Sequence, residues 1–188
     1  MALPDYSALS TGTPIVLAGA SYSPTGNNSL GTATNAVLDL ASVSSGAYEE
    51  TGRFDFGATW DMEVVLAAAL EFAVAPSAGE TVDFFMAYNN SDDTVGWPGG
   101  IAGGTASAVY TGYSSNADDS VKQLTYLGSM VCTVQATTTV QIDTNISTFV
   151  PRDRYGVLVV YNNTSQATVA DHVEQAVRLT PIRTSVID

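Results

Sequence analysis

The sequence predicts an all-β protein, an antiparallel two-sheet sandwich of jelly-roll type with an extended N-terminal arm. Three observations carry this. Apolar residues alternate with a period of two along most of the chain, and no helix-period pattern lasts beyond about two turns. Candidate strands are separated by clusters of Gly, Pro, Asn and Ser, as in a sandwich or barrel. The 188 residues, 45% apolar and 13% charged, suffice for one domain with a substantial core. An immunoglobulin-like topology is the second choice.

Residues 1–33 mix Pro4, Pro14 and Pro24 with Gly12, Gly19, Gly26 and Gly31 among isolated Leu, Ile and Tyr residues. This reads as an extended arm whose apolar side chains need covering, on its own sandwich or on a neighbouring subunit. Within it, Pro14 to Ala18 is a short strand. The sandwich proper is expected over 34–188. Thr34 to Ser42 alternates Leu38 and Leu40 against Val37 and Asp39. Ala58 to Val74 puts Met62, Val64, Leu66, Leu70, Phe72 and Val74 on one face and Asp61, Glu63 and Glu71 on the other. A turn at Pro76 to Glu80 leads to Thr81 to Tyr88, which reads as its hairpin partner. Asn89 to Ser120 is a long loop rich in Gly, Ser, Asn and Asp, long enough to suggest function, with a short strand expected near Ala108 to Tyr110. Gln123 to Val134 places Leu124, Tyr126, Gly128, Met130, Cys132 and Val134 on one face. Thr137 to Asp143 is β-branched. Tyr155 to Asn162 contains the unbroken run Val157-Leu158-Val159-Val160, the mark of a strand covered on both faces. Thr168 to Thr180 completes the set, and 185–188 form a short tail.

Nineteen acidic residues face six basic ones, a net charge of −13. Nucleic acid and anionic membrane surfaces are disfavoured partners, because both are bound by clustered Lys and Arg. Cys132 is the single cysteine and His172 the single histidine. An intramolecular disulfide and a multi-cysteine metal site are therefore excluded. The N-terminus lacks the basic and apolar regions of a secretory signal, so the five Asn-x-Ser/Thr sequons read as a by-product of composition and the chain is expected in a cytoplasm.

A catalytic triad would need His172, yet no Gly-x-Ser-x-Gly occurs. Paired carboxylates of a glycosidase type could come from Glu49 and Glu50, or from Asp61, Glu63 and Glu71, but acids at a two-residue beat are also what a solvated sheet face shows. Calcium could be held by Asn89 to Asp93 with Asp118 and Asp119, although neither follows the EF-hand pattern. No phosphate loop or dinucleotide fingerprint is present, and neither an enzymatic activity nor a cofactor is expected. Trp97, Tyr110 and Tyr113 in the long loop are candidates for stacking on a sugar or anchoring a partner; Trp97 could equally cap its own sandwich. Arg152 and Arg154 could form ion pairs with a neighbouring subunit or within the chain.

Several stretches resemble small structural proteins of tailed-bacteriophage virions. They are Ala2-Leu3-Pro4-Asp5-Tyr6-Ser7, Thr13 to Ala18, Val82 to Ser91, and Phe149 to Gly156 with Leu158 to Asn163. The resemblance implies a jelly-roll subunit, multimeric on the particle, that cements or decorates the capsid. Its partners would then be copies of itself, as a homotrimer, and the major capsid protein. A tail, neck or fibre component and a carbohydrate-binding jelly roll are the alternatives. The family has no catalytic residues to carry over.

Overall fold

The computed structural model describes residues 9–11, 13–34, 37–57, 62–133 and 139–184. Among these residues eleven strands form two antiparallel sheets: β1 (Leu9–Thr11), β2 (Ile15–Ala18), β3 (Tyr48–Glu50), β4 (Phe54–Asp55), β5 (Glu63–Glu71), β6 (Thr81–Asn89), β7 (Ala108–Val109), β8 (Thr125–Val131), β9 (Val140–Phe149), β10 (Tyr155–Asn163) and β11 (Ala176–Thr184). In sheet one β1 and β2 both pair with β11, followed by β5 and β9. Sheet two runs β7, β3, β10, β6, β8, with β4 also on β10.

The pairing is nested. β6 pairs with β8, β5 with β9, β3 and β4 with β10, and β2 with β11. A single long ribbon, turning at the loop 90–124, has therefore rolled up until β5 meets β11 and β6 meets β10. That is the jelly-roll arrangement. Leu17, Leu66, Leu70 and Leu179 from sheet one meet Phe84, Met86, Leu158 and Val160 from sheet two in the core between them.

The alanine-rich centre of β5 is explained by what lies over it. Ala68 faces the core, whereas Ala69 joins Val16, Ala18 and Ala176 beneath Leu30 and Tyr22 on the outer face of sheet one. Short side chains let this covering stretch approach closely. Its chain is pinned by Glu174, which accepts hydrogen bonds from Thr25 N (3.1 Å), Thr25 Oγ1 (2.5 Å) and Asn28 Nδ2 (2.7 Å). Over its described residues, the segment expected as an arm thus packs in cis, and β1 and β2 belong to sheet one.

Several expectations are corrected. β5 and β6 are not a hairpin, because each pairs in a different sheet. The stretch 34–42 alternates as expected, with Leu38 and Leu40 buried, yet among its described residues only Val37 makes a bridge, to Ala18. It crosses from one sheet to the other and so cannot lie in a ladder. In β8 the register shifts opposite Phe84 and Phe85, where Gly128 has φ 156°; this bulge turns Tyr126 outward and Leu127 into the core. His172 lies in the turn before β11 rather than in a strand. Val74 is exposed. β3 and β4 lie outside the strands expected from sequence, since the successive acids Glu49 and Glu50 hide the alternation of β3 and β4 is only two residues long. Residues 1–8, 58–61, 134–138 and 185–188, on which parts of the expected arm, strands and tail fall, lie outside the described residues.

The sandwich has two unlike sides. At one, the described edge strands are short and Thr34, Leu38 and Asp39 tie them together: Thr34 N–H and Leu38 N–H donate to Val16 O and Ala18 O, and Asp39 N–H donates to Ser107 Oγ beside β7. At the other, β8 and β9 are the outermost strands of their sheets.

Candidate functional site

The loop 90–124 lies on the outer face of sheet two. Trp97, Ile101, Tyr110, Val121 and Leu124 pack on Ala87, Val157, Val159 and Tyr48, forming a second core. β10 is covered on both faces in consequence, as its unbroken apolar run predicts. The loop carries short turns of 3₁₀ helix at Pro98–Gly100 and Val121–Gln123, one helical turn α1 (Ala117–Ser120), and β7, which extends over part of the strand expected near Ala108 to Tyr110.

Backbone geometry holds the rings in place. Trp97 Nε1 donates to Asp93 O at 2.8 Å, and Tyr110 Oη to Gly99 O at 2.6 Å. Gly103, at φ 63°, lies so near Trp97 that a Cβ there would stand 2.3 Å from its Nε1. Tyr48 stacks on Tyr161 with centroids 4.2 Å apart and donates to Asp118 Oδ1 at 2.9 Å. Burial pushes the Tyr110 hydroxyl up to about 12. Trp97 and Tyr110 thus spend their rings on their own sandwich. Tyr113 remains 51% exposed, at a tip where Ser114 and Ser115 adopt φ 53° and 59°. Two adjacent non-glycine residues in the left-handed region mark stored strain.

Beside this loop, at the start of β10, lies an open polar depression of about 510 Å³ lined by Arg53, Phe54, Asp55, Asp92, Thr105, Arg154 and Tyr155. Arg154 chelates Asp55 through Nε (3.0 Å) and Nη2 (2.7 Å) and lies 5.2 Å from the Tyr155 ring centroid. The Arg154 contact holds the Asp55 carboxyl below its ordinary range. Arg53 Nε stands 2.8 Å from Asp92 Oδ1, and its Nη1 donates to Gly103 O at 3.4 Å. Arg152 is exposed in the same turn as Arg154 and makes no ion pair with a described acid. Half of the chain's six cations therefore cluster around one end of sheet two. Sequence reasoning singled out Arg152 and Arg154 but not Arg53, Asp55 or Asp92. The alternation Arg53-Phe54-Asp55 in so lightly charged a chain was the available signal.

The acids considered for catalysis are placed differently. Glu49 and Glu50 are adjacent strand residues, so they point to opposite faces of sheet two. Glu49 accepts from Ser107 Oγ at 3.0 Å and Glu50 from Ala102 N–H at 3.2 Å, tying 102–107 to β3 from both sides. Both are raised from 4.5 to about 7, chiefly by burial. Asp61 lies outside the described residues. Glu63 is exposed at one end of β5, and Glu71 lies at the other, with its pKa raised by burial and by nearby Asp171 and Glu174. His172 Nδ1 lies 2.8 Å from Asp39 Oδ1 without hydrogen-bond alignment, and the Ser107 hydroxyl is engaged by Glu49. In the oxygen-rich stretch 89–93, Asn89 Oδ1 accepts from Ser91 N–H and Ser91 Oγ bonds Asp93, so these groups form their own turn. Among the described residues, no group of three or more His, Cys, Asp or Glu side chains is placed to hold a metal ion, and no helix is long and apolar enough to cross a membrane.

Comparison with protein-family models, with curated proteins and with solved structures gave no match.

Proposed function

We propose that the chain is a structural subunit of a tailed-phage virion, a capsid cement or decoration protein that acts by burying surface against its neighbours and uses no reactive group. Two observations support this reading: the exposed, strained Tyr113 tip of a loop that is itself firmly packed on sheet two, and the cluster of Arg53, Arg152 and Arg154 around the start of β10. A rigidly held exposed aromatic and clustered arginines fit a protein contact, since such anchors lose little entropy on docking. The acidic remainder of the surface keeps free copies apart until the correct partner is met. The major capsid protein is the intended partner, and the virion the place of action.

Mixing the purified protein with expanded capsid shells and pelleting the shells tests this. Saturable co-sedimentation is expected, weakened at least tenfold by Tyr113→Ala combined with Arg152→Glu. Absence of binding to shells, with binding to tails or necks instead, would move the protein to a tail, neck or fibre station. Absence of binding to any particle component would overturn the proposal.

A further inference from the structure

Three separate stretches of chain meet at one hydroxyl beside β3. Ser107 Oγ lies 3.0 Å from Glu49 Oε1, 2.8 Å from Glu50 O and 3.0 Å from Asp39 N. Around it, Gly52 N–H donates to Val37 O and Arg53 N–H to Gly104 O. The approach is close enough that a Cβ on Gly52 would stand 2.3 Å from Thr105 O. The stretch 37–41, which crosses between the sheets, and the loop segment 102–107 are therefore both tied to β3 at this point.

A hydroxyl has one proton to give and two positions at which to accept. Asp39 N–H takes one of the accepting positions. With Glu49 ionised, the Ser107 proton serves either the carboxylate or the Glu50 carbonyl, and one of those two bonds is forgone. With Glu49 protonated, its O–H donates to Ser107 Oγ, the Ser107 O–H donates to Glu50 O, and all three bonds form together. We propose that this junction is a proton-operated clasp: protonated Glu49 fastens 37–41 and 102–107 to β3, and ionised Glu49 loosens both.

The surrounding charges work in the same direction. Asp39 on the crossing stretch and Glu50 on β3 are the charged groups that act on Glu49. The segment 101–107, β7 and β10 bring none. Arg53, the next cation along the chain, is engaged by Asp92 and Gly103 O. His172 stands 2.8 Å from Asp39 and gains charge only as pH falls. Ionised Glu49 is thus a buried anion beside two further acids, a costly arrangement. Burial, helped by Asp39 and Glu50 against the Ser107 hydrogen bond, raises its carboxyl to about 7, so the clasp works near neutrality. The fastened layer also carries the Tyr113 tip, and the device stands whether or not that tip meets a capsid.

Hydrogen exchange of the full chain from pH 6 to 8.5, corrected for the intrinsic amide rate, tests this. Amides of 37–41 and 102–107 should lose protection at least fivefold more than those of β5. Glu49→Gln presents an N–H to Ser107 Oγ as the protonated carboxyl does, and should keep both segments closed at every pH. His172→Gln should leave the pH dependence in place. Nuclear magnetic resonance of the unaltered protein supplies a readout that survives misfolding of a variant: the Asp39 amide signal should titrate with the same midpoint as the Glu49 carboxyl carbon. Protection that is flat with pH overturns the proposal, as does an Asp39 amide that ignores Glu49. So does a pH dependence that survives Glu49→Gln or vanishes in His172→Gln, which would assign the effect to another group.

Discussion

Glu49 and Glu50 are 8% and 4% exposed, and each is a carboxyl that burial makes reluctant to ionise. In the unfolded chain they release protons near the ordinary 4.5, and in the folded protein near 7, so the folded state binds more protons between those values. Their contribution to stability is complete below about pH 4.5 and is lost as pH rises through 7. Asp55 and Glu174 are shifted the other way, by Arg154 and by Thr25, and their contribution is lost in stronger acid. The expected result is greatest thermal stability near pH 5 and a melting temperature several degrees lower at pH 8. Glu50→Gln should flatten that decline, and calorimetry across pH 4 to 9 checks it. A melting temperature that rises from pH 5 to 8 would contradict the burial argument. These roles were not legible beforehand, because period-2 patterning assigns acids to solvent by default. Only the approach of 102–107, some fifty residues away in sequence, buries them.

Among the elements, the long loop behaves as a third layer. Its hold on sheet two depends on glycines at sites no other residue tolerates. Gly103→Ala would place a methyl against the Trp97 indole at a positive φ, and should cost about 1–3 kcal/mol. Trp97 fluorescence should shift to the red while the far-ultraviolet dichroism of the sheets is retained. An unchanged emission spectrum would show that the indole does not depend on the close approach. The sequence marks this loop by its length and glycine content, and β10 beneath it by an uninterrupted apolar run. It does not say which aromatic turns inward. Trp97 and Tyr110 differ from Tyr113 in the carbonyls their polar atoms reach, and those contacts come from turns folded within the loop.

For the molecule as a whole, alternation was enough to reveal two sheets but not their partners. β5 and β6 follow one another and read as a hairpin, yet the connection 72–80 is too long for a tight turn and carries the chain across to the other sheet. Side-chain period reports which face is buried, and pairing is decided by the long-range closure that period cannot encode. The core between the sheets is shared by both, so damage on either side should unfold the protein in one step. Phe84→Ala, at a fully buried position, should cost about 3–5 kcal/mol in denaturant titration.

The nested ribbon also dictates an order of assembly. Bringing β6 to β8 encloses residues 90–124, whereas joining β2 to β11 first would enclose almost the whole chain. Loop-closure entropy rises with the length enclosed, so the cheapest route starts at the middle of the polypeptide and zips outward, each completed pair shortening the next closure. Folding-rate measurements on variants should therefore find the nucleus in β6 and β8, with β2 and β11 docking last.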